Sequence, residues 1–328
     1  MCHIFEFLLK MISRTLVRTR VIQTLYAYYK DGDKTSLSAK KELLKSFSDT
    51  YDLYVLLMSL VNELTQYAEE QIEDAEARAK VKHEEYVANR RFVNNKLAQQ
   101  VFNNRPIRNY LANNNLSWEA GMDAMGALYK QLVETDYYKE YMSAEACTSE
   151  DDKRIWRKIY TELLPYNEAL YSALDEMEVI LDRNNRTVDM EVVLVFALKT
   201  LKRFTEESDD DQEIMPMFRQ EADLDFAKDL LKYAIEDKDK NEQLIDTHLR
   251  NWDASRVAYM DRIILQTALA ELFHCDDIAL EVTLNEYIEL SKEYSTDKSY
   301  TFINGVLTEI LRDEKKNGTL MKAMGMRV

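Results

Sequence analysis

The chain has 328 residues, 46% of them hydrophobic and 31% charged, with only 6 Gly, 3 Pro and a formal net charge of −16. So few turn formers exclude a strand-rich fold, which needs them at every hairpin, and point to an all-α protein. No window holds the ~18 to 20 consecutive apolar residues of a membrane span, and the acidic balance excludes indiscriminate coating of nucleic acid.

The length fits two modest domains or one large one. Three cysteines, Cys2, Cys147 and Cys275, are odd in number and far apart, which speaks against a disulfide framework and for a reducing, cytoplasmic setting. The opening run from Ile4 to Leu9 is broken by Glu6 and has no small-residue cleavage site after it. The first ten residues show no helical stripe and read as an appended leader. Within the acidic chain lie two basic islands. Residues 1 to 30 carry five bases against Glu6, and residues 78 to 108 carry eight against Glu84 and Glu85. Such islands suit a protein that binds a short RNA site while rejecting bulk polyanion, or they are simply solvated helix faces.

In chain order, Val17, Val21, Leu25 and Tyr28 form a stripe at helical period, which predicts a helix from about Ser13 to Tyr29 with Ser13 as its cap. Arg14 and Arg18, one turn apart, project on the same side. Asp31-Gly32-Asp33 stops the helix. A second apolar face, Leu53, Leu56, Leu57, Leu60, Val61 and Leu64, predicts a core helix from Ser48 to Tyr67. From there to Pro216, charged helical stretches alternate with Asn-rich breaks at Asn103-Asn104-Arg105-Pro106 and Asn113-Asn114-Asn115. Helical spacing persists through Ile155, Ile159 and Leu163 and again through Val192 to Leu201, so this region is ordered. The acidic crowd from Glu206 to Glu213, followed by Met215-Pro216, is the best boundary. Beyond it come three amphipathic helices around Met260 to Ala268, Leu284 to Tyr294 and Phe302 to Leu311. Asn285 and Asn304 read as buried amides that tie helices together. A faint echo of Phe302-Ile303-Asn304-Gly305-Val306-Leu307 occurs at Phe92-Val93-Asn94-Asn95-Lys96-Leu97.

Catalytic patterns do not hold up. Gly121 and Gly126 have phosphate-loop spacing, but Ala127 and Leu128 stand where Lys and Ser or Thr belong. Glu271 and His274 make one Glu-x-x-His step, and a di-iron bundle needs two with further glutamates. No metal, cofactor or catalytic set is expected, and the chain reads as a non-enzyme.

The last third contains Asn251-Trp252-Asp253 with Tyr259-Met260-Asp261-Arg262-Ile263-Ile264-Leu265, then Leu284-Asn285-Glu286-Tyr287-Ile288-Glu289-Leu290-Ser291-Lys292, then Phe302-Ile303-Asn304-Gly305-Val306-Leu307. These blocks, in this order and spacing, resemble the carboxy-terminal half of the NusB family of transcription antitermination factors. The resemblance is strongest over Phe226 to Leu311, weaker over Ser13 to Tyr29 and absent between. It implies an all-α NusB-like bundle built from residues 13–65 and 217–312, with residues 66–216 as a helical insertion. It also implies binding of boxA-type single-stranded RNA together with a ribosomal small-subunit protein acting as NusE, in the elongation complex during ribosomal RNA transcription. Carried over by position, Arg14, Arg18, Arg20, Gln23, Tyr26, Lys298 and Phe302 are the implied RNA contacts, and Asp261 and Arg262 the implied partner contacts. The family's arginine run is thinned here, and Thr301 stands where a lysine is common. The alternative is a helical protein-protein adaptor with little RNA binding of its own. Arg90, Arg91, Arg105 and Arg108 are expected to extend the binding surface.

Overall fold

Residues 12–177, 186–218, 220–249 and 257–318 are described by a computed structural model. The leader and the Asn251-Trp252-Asp253 block lie outside them. The described residues form fourteen α-helices and no strand, so the all-α expectation holds. The helices fall into two units, one of residues 48–217 and the other of residues 12–47 with 218 onward.

The second unit begins with α1 (Arg14–Lys30), whose Leu16 amide donates to the Ser13 hydroxyl at 3.1 Å, the expected cap. It continues with α10 (Glu221–Glu236), α11 (Lys238–Thr247), α12 (Tyr259–His274), α13 (Leu280–Tyr294) and α14 (Ser299–Asn317). Residues 263 to 272 of α12 are buried without a break. A helix buried all round must be central, and α1, α10, α11, α13 and α14 all pack on it. Facing it are Val17, Val21 and Leu25 of α1, Phe226 and Leu230 of α10, and Phe302, Val306 and Ile310 of α14.

In the first unit, α2 (Ser36–Lys82) supplies the buried run from Leu53 to Leu64. Against it pack α3 (Lys96–Asn103), α4 (Arg105–Asn114), α5 (Met122–Glu134), α6 (Asp136–Ser143), α7 (Ser149–Lys158), α8 (Glu168–Glu176) and α9 (Arg186–Arg203). The Asn-rich breaks are helix caps. Asn95, Asn104 and Asn167 accept from the amides of Ala98, Ile107 and Leu170, and Asn115 takes a left-handed φ of 53° to close α4. The acidic segment is pinned, with the Arg105 amide donating to the Asp210 carbonyl at 2.7 Å and the Tyr51 hydroxyl to that of Met215 at 2.7 Å.

Three expectations change. The helix expected over 48–67 runs from Ser36 to Lys82, because no Gly or Pro interrupts that stretch and Thr35 caps it through the Ser38 amide. Its residues from 48 on belong to the first unit, where their apolar face is buried, so the division falls near 47 and not near 65. Asn285 and Asn304 are exposed rather than buried, since each lies opposite the apolar stripe of its helix. The echo has no structural counterpart: 92–95 form a turn and 302–307 are helical.

Candidate nucleic-acid interface

The arginines of α1 are the residues on which RNA binding was expected to rest, and their surroundings decide what they do. Arg18 is 2% exposed. Its Nε and Nη2 donate to the two carboxylate oxygens of Glu271 on α12 at 2.7 and 2.8 Å, and Nη1 reaches Glu286 on α13 at 3.3 Å. The same carboxylate accepts from the hydroxyls of Thr283 at 2.8 Å and Tyr287 at 2.9 Å. Burial opposes the charge on Arg18, but the hydrogen bonds and charge of Glu271 outweigh it and hold its pKa above the ordinary guanidinium value. Arg18 is therefore spent on joining α1, α12 and α13, and RNA cannot reach it.

Arg14 is part-exposed and pairs with Asp223 at 3.3 Å and Asp277 at 3.0 Å, with its guanidinium carbon 5.1 Å from the Phe226 ring centroid. Arg20 is buried and donates to the Gln23 Oε1 at 3.1 Å. Nε2 of Gln23 has no hydrogen-bond partner. Phe302 is buried at 6% and serves the core, so the stacking role expected of it is not open to it. Asp261 also turns inward, at 4% exposure, and accepts from Ser299 at 2.9 Å, so direct partner contact is closed to it. Arg262 is a quarter exposed and pairs with Asp246 of α11 at 2.9 Å.

Four helix ends of the second unit meet at a surface that still faces solvent. Tyr26 of α1 meets Tyr259, the first residue of α12, edge to face at 5.6 Å between ring centroids. Ser299, the first residue of α14, is held to α12 by Asp261. The end of α13 joins them, because Tyr294 hydrogen-bonds Thr19 and feels the charge of Arg20, although burial is the main cause that pushes its hydroxyl pKa up. On this surface Tyr259 and Tyr300 are each 44% exposed. Lys30 lies 4.7 Å from the Tyr26 ring centroid and Lys292 lies 5.6 Å from that of Tyr300. Lys298 stands exposed immediately before α14. The hydrogen bond that Lys30 donates to Tyr26 raises the Lys30 pKa, and partial burial followed by Tyr26 raises that of Tyr259. Of the seven expected RNA contacts, Tyr26 and Lys298 come to this surface, while Arg18, Phe302 and the buried Gln23 amide nitrogen do not. Tyr259, Tyr300, Lys30 and Lys292 were missed. Their available signal was an aromatic or basic residue lying off the apolar stripe at a helix end.

The NusB family model matches residues 184–312, which span α9 through most of α14. A transcription antitermination protein NusB of Bacillus pumilus is 37% identical over 121 residues, covering 37% of this chain and 92% of the relative. The chain belongs to the NusB family. A NusB of Bacillus licheniformis is 43% identical over 94 residues, 29% of this chain and 72% of the relative. For a NusB of Chloroherpeton thalassium, 40% identical over 101 residues, the match spans 30% of this chain and about half of the relative, 48%. No solved structure matches. As a member of the NusB family, this chain carries the matched helices together with α1, which lies outside the matched residues but packs on α12.

Three arginines of the second basic island are engaged within the first unit. Arg90 lies 3.3 Å from both Glu69 and Glu76, Arg105 lies 2.8 Å from Asp211, and Arg91 donates to the Tyr141 carbonyl at 2.6 Å. Of the four arginines expected to extend the binding surface, Arg108 is exposed and has no ion pair among the described residues, and the other three are engaged internally.

Proposed function

We propose that the chain is a non-catalytic transcription antitermination factor that binds boxA-type single-stranded RNA together with a small-subunit ribosomal protein acting as NusE, in the elongation complex during ribosomal RNA transcription. The observation that carries this reading is the exposed set of aromatic and basic side chains where α1, α12, α13 and α14 meet. Tyr259 and Tyr300 offer stacking platforms worth ~1 to 3 kcal/mol per base. Lys30, Lys292 and Lys298 offer phosphate contacts, for which a slope of about −2 in log K against log salt is expected. Gln23 acts from within, its Oε1 accepting from Arg20 and its Nε2 closed off from solvent. Arg14 and Arg20 act by positioning α1, and Arg18 by locking it to α12. Partner docking falls to Arg262 on the α11 side, with Asp261 acting through its hold on Ser299.

One observation favours the alternative, a protein-protein adaptor with little RNA binding: Arg18 and Arg20 both turn inward. Titration of a boxA-type RNA and a scrambled control, with and without the ribosomal partner, separates the two. Selective binding that rises with the partner is expected, and Tyr259→Ala or Tyr300→Ala should each cost ~1 to 3 kcal/mol of RNA affinity. Equal weak binding to both RNAs, unchanged in these variants while the partner still binds, would leave the adaptor.

A further inference from the structure

In the first unit α7 and α9 part to leave a groove of about 400 Å³. Lys153 and Arg157 stand one helical turn apart on the α7 wall, and Lys202 stands on the α9 wall. Leu198 offers part-exposed apolar surface in the same groove, with Leu201 buried beside it. Several cations elsewhere are answered by acids: Arg14, Arg90, Arg105 and Arg262 all have carboxylates within 3.3 Å. Arg154, which also lines the groove, is answered by Asp151 at 3.0 Å. Lys153, Arg157 and Lys202 have no ion-pair partner among the described residues, and Glu150 is the one acid in the lining. Three like charges converging on one groove in an acidic protein repel one another unless an anion is placed between them.

We infer that this groove binds the phosphodiester backbone of RNA, a second contact in the first unit beyond the surface at the helix ends of the second. The inference rests on the RNA-binding reading above. Cations on both walls suit a strand running along the groove, with phosphates meeting charge from either side and a ribose or base edge lying on Leu198. Trp156 lines the groove but is fully buried, so base stacking contributes nothing there and the contact is indifferent to sequence.

The test compares a short boxA-type RNA with a longer transcript carrying the same site, using the full chain and the variant Lys153→Glu/Arg157→Glu/Lys202→Glu. The longer transcript should bind the variant at least about ten-fold more weakly at low salt, with a log K against log salt slope shallower by about 2, the loss of three single-strand phosphate contacts. The short RNA should bind both proteins equally. Lys153→Gln/Arg157→Gln/Lys202→Gln guards against misfolding and should show a smaller loss in the same direction. Wild-type affinity and slope for the longer transcript in both variants would overturn the inference. So would polyglutamate binding lost in the variants while RNA binding persists, which would assign the groove to an acidic protein segment. If the short RNA fails to bind wild-type protein but the longer transcript still depends on the three cations, the proposed function falls and the groove stands.

Discussion

The two units fasten their interiors with opposite kinds of polar chemistry. In the second, one ionised pair, Arg18 with Glu271, joins α1 to α12, and Thr283, Tyr287 and Glu286 bring in α13. The residues it joins lie 253 positions apart. In the first unit neutral side chains dominate: Trp118 donates to the Leu56 carbonyl, Tyr54 bonds Thr200 and the Met215 amide, and Asn95 fills all its positions between Ala98, Trp156, Tyr141 and Asp152. Two-handed charged bonds are strongly directional. That suits the place where a remote amino-terminal helix must dock in one register on a carboxy-terminal bundle. Amides and hydroxyls suffice where neighbouring helices already share a broad apolar core.

Removing one partner of the charged pair should break the comparison most sharply. Glu271→Ala or Arg18→Ala should cost ~3 to 5 kcal/mol, because the remaining charge is left buried and uncompensated. Replacing both by Arg18→Met/Glu271→Leu should cost much less than the sum. Amide hydrogen exchange of α1, α12 and α13 is the measurement, and a double-variant loss equal to the sum of the two single losses would show that the pair is not a unit. In the first unit Asn95→Ala should cost about 2 to 3 kcal/mol, through a lost cap and unsatisfied groups at Trp156 and Tyr141, with exchange rising in α3 and α7 and not in α12. The smallest effect concerns Glu63 on α2. Burial raises its carboxyl pKa, so keeping it ionised costs the folded state stability at neutral pH, and the cost vanishes as pH falls through the raised folded value. Glu63→Gln should therefore stabilise the first unit at neutral pH, with the gain fading towards the acid range in urea unfolding.

Much of the helical order was legible because it is written in local spacing. The Ser13 cap, the Val17-Val21-Leu25 stripe and the stop at Asp31 all appear where periodicity places them. The Phe302-Val306-Ile310 stripe is likewise buried as its spacing predicts. The candidate surface was less legible. Arg18 and Lys298 are both cations in expected contact positions, yet one is sealed against Glu271 and the other is open. Which of them faces water depends on a carboxylate far along the chain, and the spacing around Arg18 says nothing of it.

Composition and periodicity by themselves determined an all-α chain, most of its helix faces and, through the three carboxy-terminal blocks, its family. Those properties follow from interactions within a few residues, or from a pattern that survives being read in one dimension. Tertiary structure alone decided that residues 12–47 join the carboxy-terminal unit while the rest of α2 does not. It also decided that Glu271 anchors α1, and that Tyr259, Tyr300 and Lys298 are left exposed. The physical reason is that burial and charge pairing are properties of contacts between distant segments, and the free energy of a cation depends more on what surrounds it than on where it stands in the sequence.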